Sequence, residues 1–238
     1  MLKLVSPNIE VVLSSFGGVG TTFLLDFISQ YRRTNDPHDK DGLKHCPYPP
    51  LSFNKNIKYV YVFGSPVKAV ISLFRRQIYV AHSHKMLRFH PQSKPLSNNT
   101  TLEEYAHLLD DKFKFENHFN QWLQHSPYQI LFIRYNAIWD HIDEILSFLD
   151  IPLSEKGKFP AKKERASNNI DLDDKTLSNL HTLYMRFESQ LSNFPDLLIT
   201  NSEKGFSHIK IYLQYSQILL KILLIKLWRK SGKLFTLI

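Results

Sequence analysis

A chain of 238 residues, 43% hydrophobic and 22% charged, is long enough to enclose one sizeable core and too apolar to stay disordered. Its formal net charge of +8 is a property of one end: seven of the 30 Lys and Arg and none of the 22 Asp and Glu lie from residue 204 onward, leaving 23 basic against 22 acidic residues in 1–203. That distribution argues against a nucleic-acid footprint over the body. The single cysteine, Cys46, excludes an intrachain disulfide, and Pro7, Asn8 and Glu10 break any early apolar run, so the expected setting is a reducing, cytoplasmic one.

Three short apolar, β-branched or aromatic runs predict buried strands: EVVLSS (Glu10 to Ser15), IKYVYVFG (Ile57 to Gly64) and YQILFIRY (Tyr128 to Tyr135). Each is followed by a helical pattern, from Thr21 to about Tyr31, from Pro66 to about Arg88, and from Ile138 to Leu149. Strand and helix in alternation predict a parallel α/β sheet whose ligand gathers at the carboxyl ends of its strands. Residues 32–56, rich in Pro, Asp, Asn and Lys, read as loop; Leu102 to Gln124 reads as one charged amphipathic helix. A further helix is expected from Asp173 to about Leu191.

The first junction, FGGVGTTF, carries Gly17, Gly18, Val19 and Gly20 before a helix that opens on Thr21 and Thr22. Backbone N–H groups and hydroxyls in a first helical turn suit an anion. A tight strand-to-helix turn would need the same glycines. Phe23 offers an aromatic face or a core side chain. No lysine stands in the loop, so the G-x-x-x-x-G-K-[ST] pattern of a nucleotide-hydrolysing P-loop is not met.

Four segments in order resemble the sulfotransferases that use 3′-phosphoadenosine 5′-phosphosulfate (PAPS). GGVGTTF is similar to their first loop through Gly20, Thr21, Thr22 and Phe23; LKHCP (Leu43 to Pro47) to a Lys-Thr-His segment; GSPVKAVIS to a second signature ending at Ser72; FIRYNAIWDHIDEILSFLDIP to the third. The resemblance spans roughly Ile9 to Pro152. It implies a P-loop-like sheet flanked by helices and transfer of a sulfuryl group from PAPS, without a metal, to a hydroxyl or amine of a glycan, lipid or small molecule. It further implies that the loop holds the 5′-phosphosulfate, Ser72 the 3′-phosphate, and Phe23 and Tyr135 the adenine. His45 becomes the matched general base, a solvated loop histidine being the plain alternative.

Two departures stand out. The family's loop cation falls on Gly18, and its 3′-phosphate arginine on Gly64. The expected replacements are Lys44 at the transferring group and Lys163 with Arg165 at the 3′-phosphate, with Lys68, Arg75, Arg76 and Lys162 as further nearby cations. Without replacement, the fold would serve as a non-catalytic nucleotide-binding or membrane-associated protein. A P-loop kinase or NTPase is disfavoured because neither YVYVFG nor ILFIRY ends in a magnesium-binding aspartate. The chain divides into an α/β body, 1–203, and a basic tail, 204–238. Lysines interrupt the tail's apolar residues, which predicts an amphipathic helix lying on an anionic membrane, or else packed on protein.

Overall fold

The computed structural model describes residues 3–50, 52, 54, 56–90, 92–124, 128–162 and 172–200, with residues 220 and 224. Strand β1 (Val11–Ser14) pairs in parallel with β2 (Lys58–Phe63), from Val11 opposite Lys58 to Ser14 opposite Tyr61. Strand β2 pairs in parallel with β3 (Ile130–Arg134), from Tyr59 opposite Ile130 to Phe63 opposite Arg134. All three therefore end on one edge of the sheet. Their nearly continuous burial reflects a sheet covered on both faces.

The fold is α/β, with one correction to the parallel sheet expected. A fourth strand, β4 (Leu197–Ile199), runs antiparallel beside β3, giving the order β1-β2-β3-β4. Three residues after a proline are too short to show a strand period.

Helix α1 (Thr21–Ile28) follows β1. The helix expected from Pro66 to Arg88 is instead two, α2 (Pro66–Arg75) and α3 (Tyr79–Met86). Gln77 takes a left-handed φ of 53° between them, while Ile78 N donates to Leu73 O at 3.1 Å and Gln77 N to Phe74 O at 2.8 Å. This is a Schellman end built on glutamine rather than the usual glycine. The helix expected over Leu102 to Gln124 also divides, into α4 (Leu102–Leu108) and α5 (Phe115–Gln124). Leu109 and Lys114 are left-handed, and the Asp111 carboxylate accepts from Phe113 N and Phe115 N, both at 2.9 Å, which starts α5. Helices α6 (Ile142–Phe148) and α7 (Asp174–Ser192) follow, the latter capped by Asp173 as its sequence predicts. The core is aromatic, with Phe16, Phe119, Trp122, Phe132 and Phe187 fully buried. Residues 204–238, expected to form the basic helix, lie outside the described residues apart from 220 and 224.

Candidate functional site

The β1–α1 turn is a glycine-dependent loop pressed between neighbours. Gly17, Gly18 and Gly20 have φ of 100°, 69° and 77°, and a methyl group on them would stand 2.4 Å from His82 Nε2, 2.6 Å from Ala69 O and 2.2 Å from Tyr135 Cε2 respectively. The loop thus rests on α3, α2 and the end of β3. No side chain caps α1, whose N-cap Gly20 is left-handed. A left-handed residue before a right-handed helix turns successive N–H groups to one side, the geometry of an anion nest.

Beside this nest lies the segment holding Lys44 and His45. Asn35 fixes the preceding loop to β1: its Oδ1 accepts from Leu13 N at 2.8 Å and its Nδ2 donates to Leu13 O at 3.2 Å. Lys44 O then accepts from Ser15 N and Ser14 Oγ, both at 3.0 Å. Two residues of a Pro- and Asp-rich loop are thereby joined to the end of β1.

Lys44 is only 6% exposed. Its Nζ donates to Thr22 Oγ1 at 2.5 Å and to Pro37 O at 2.6 Å. Burial, then the nearby Arg76 guanidinium, pushes the ammonium down to about 8, against a smaller pull from Asp26 and Asp36. A buried cation, a second cation and an uncapped helix N-terminus therefore share one neighbourhood. Positive potential of that kind is what an anion would neutralise.

His45 is half-buried, and its Nδ1 lies 3.0 Å from Ser15 O. Because a carbonyl only accepts, Nδ1 carries the proton and Nε2 the lone pair. Burial first, then His82, holds His45 well below the ordinary imidazole range, so it is neutral at pH 7. His82 packs edge-on to it with ring centroids 5.0 Å apart, and its Nε2 donates to Phe16 O at 2.8 Å. Behind them His118 Nδ1 lies 2.8 Å from the Tyr61 hydroxyl. Burial pushes His82 down to about 4 and His118 to about 3.

A cleft of about 210 Å³ opens at the carboxyl ends of β2 and β3, lined among others by Gly64, Ser65, Lys68, Tyr135, Asn136 and Glu188. Tyr135 joins it to the glycine loop through Gly20, and Gly64 faces Val19. The three strand-to-helix junctions thus meet at one edge, as the alternating pattern predicts.

The expected site residues other than Lys163 and Arg165 have definite places. Lys44 meets Thr22, while Thr21 Oγ1 lies 3.4 Å from Ser15 Oγ. Tyr135 lines the cleft, whereas Phe23 is stacked on Trp139 at 5.4 Å and meets Phe159 edge-on, so those faces serve an aromatic cluster. Ser72 is buried along α2 and does not line the cleft; Ser65, one residue after Gly64, does. Lys163 and Arg165 lie outside the described residues. Of the other cations, Lys68 lines the cleft, and Lys162 donates to Asn136 O at 2.9 Å. Arg76 is the cation beside Lys44. His82 and Glu188 carry no motif, and sequence reading passes over them; Ser65 stands inside GSPVKAVIS, at the junction expected to line the site, with no role of its own assigned there. Comparison with known proteins adds no assignment: no family model matches the chain, and no curated protein matches it.

Proposed function

We propose that the chain is a transferase that moves a sulfuryl group from PAPS to a hydroxyl or amine acceptor. The observation that carries this reading is the buried Lys44 ammonium on Thr22 Oγ1, beside an uncapped α1. The phosphosulfate would lie on the loop N–H groups with Thr21 and Thr22, and Lys44 would supply the charge absent at Gly18. His45, neutral and with Nε2 bearing the lone pair, would accept the proton of a hydroxyl acceptor as its oxygen bonds to sulfur. As the S–O bond to the donor phosphate breaks, negative charge develops on the phosphate oxygen, where Lys44 stabilises it.

Calorimetry with adenosine 3′,5′-bisphosphate and with ATP tests the donor. Tighter binding of the bisphosphate is expected, with Thr22→Ala weakening it by about 1.5–3 kcal/mol, the worth of a hydrogen bond to a charged group. Equal affinity for both nucleotides overturns the reading. A catalytically silent binding protein is the second reading, supported by the absence of a cation at Gly18 and Gly64 and by the partners already on Phe23. Bisphosphate binding without sulfuryl transfer to any hydroxyl or amine acceptor would favour it. The tail is proposed to add reversible attachment to anionic membranes. Removing residues 204–238 should abolish co-sedimentation with anionic vesicles; unchanged sedimentation would make the tail a packing element.

A further inference from the structure

The donor cleft contains a carboxylate that the proposed chemistry does not use. Glu188, on α7, lines the cleft, and its Oε1 accepts from Ser65 Oγ at 2.7 Å. Ser65 is the N-cap of α2, and its hydroxyl also accepts from Lys68 N at 3.3 Å. Oε2 of Glu188 lies 3.6 Å from His181 Nδ1. The negative charge that the α2 N-terminus would attract is therefore already supplied, through one hydroxyl, by the protein itself. Of the other charged residues lining the cleft, Arg134 is committed elsewhere: it pairs with Asp196 and donates to Leu191 O at 2.6 Å and Phe194 O at 2.7 Å. Lys68 remains as the opposing cation.

We propose that Glu188 is a specificity-determining residue that competes with a ligand's second phosphate for the head of α2. The inference rests on the donor reading above, which brings the 3′-phosphate to Gly64. There the phosphate meets a carboxylate held by Ser65 instead of an arginine. A nucleotide bearing only a 5′-phosphate avoids that charge, and its ribose hydroxyls can donate to it. A 3′-phosphate at Gly64 faces the charge of the Glu188 carboxylate, and that repulsion weakens donor and bisphosphate product alike. Like-charge juxtaposition is an effective discriminator because it costs several kcal/mol when poorly solvated and little when solvent can enter.

The test is calorimetry of adenosine 3′,5′-bisphosphate and of 5′-AMP on the full chain and on Glu188→Gln, Glu188→Ala and Ser65→Ala. Glu188→Gln keeps the shape and an acceptor for Ser65 while removing the charge. It should tighten the bisphosphate about tenfold and leave 5′-AMP within about twofold. Glu188→Ala should act in the same direction, and Ser65→Ala, which leaves the carboxylate, should not tighten the bisphosphate. Equal gains for both nucleotides, or no gain for the bisphosphate, overturn the competition. If the bisphosphate binds and responds to Thr22→Ala but ignores Glu188→Gln, only the role of Glu188 falls. If no folded variant binds either nucleotide, the donor reading falls and takes this proposal with it.

Discussion

Lys44 shows how one side chain's environment can specify a ligand's charge. Holding an ammonium at 6% exposure beside Arg76 carries a cost, visible in its depression to about 8. An anion at the α1 N-terminus would offset that cost and raise the value again. Affinity for adenosine 3′,5′-bisphosphate should therefore fall as the pH rises through about 8, because the lysine loses its charge, and this dependence should vanish in Lys44→Ala. In turnover, removing a charge that acts on the leaving oxygen should lower kcat by about 10²–10³ while affinity changes less. Titration calorimetry from pH 7 to 9, with kinetics of the variant, reads both effects. An affinity independent of pH across that range would remove Lys44 from the anion site. In the proposed transfer His45 would take a different role from its neighbour, because its Nδ1 proton is held by Ser15 O and Nε2 is left to accept a proton.

At the scale of elements, the glycine loop works as a wedge between helices. Gly18 has a left-handed φ of 69°, and a Cβ there would stand 2.6 Å from Ala69 O and 2.7 Å from Ala69 Cα. The obstacle is helix backbone, which cannot rotate away. Gly18→Ala should cost about 2–4 kcal/mol from backbone strain and overlap, a fall in melting temperature of roughly 5–15 °C. A melt within 2 °C of the parent would show that the loop can lift off α2. For the same reason a lysine installed at Gly18 cannot stand in for Lys44. What was legible in the sequence follows the same logic of local against distant signals. The strands β1, β2 and β3 declared themselves through unbroken apolar runs, and α7 through Asp173. The α2–α3 break did not, because Gln77 is rarely left-handed and carries no turn signal. The α4–α5 break depends on Asp111, whose carboxylate must reach two N–H groups and the Tyr184 hydroxyl, 73 residues away. That Lys44 and Thr22 belong to one neighbourhood was legible because a resemblance brought both segments forward; their direct hydrogen bond was not. Glu188 was not, since its partner Ser65 lies 123 residues away.

The molecule as a whole stores neutral histidines in its interior, and this sets how it meets acid. His82 and His118 are almost fully buried, with His45 beside them, and each is depressed chiefly by burial. In the unfolded chain such imidazoles take up protons near 6.5, whereas the folded protein resists until about 4 for His82 and about 3 for His118. The unfolded state therefore binds more protons in that window. Stability is full above 6.5 and is lost as the pH falls. From the ordinary value of 6.5 to pH 5 each of these two histidines should cost about 2 kcal/mol, a large share of the 5–15 kcal/mol typical of a domain. Carboxylates cannot account for losses there. Glu10, Glu144 and Asp173 are lowered from ordinary values of 4.5, 4.5 and 3.8, so their contributions disappear at lower pH. Asp111, raised by burial, works in the opposite sense, because its folded form gains protons more readily as the pH falls. Urea denaturation at pH 7.5 and 5.0 should show the midpoint falling steeply between them with little change in slope. His82→Gln keeps a donor for Phe16 O without a group that titrates. It should be less stable than the parent at pH 7.5 and recover part of that gap at pH 5.0. Parallel losses in parent and variant would mean that the acid sensitivity does not arise at His82.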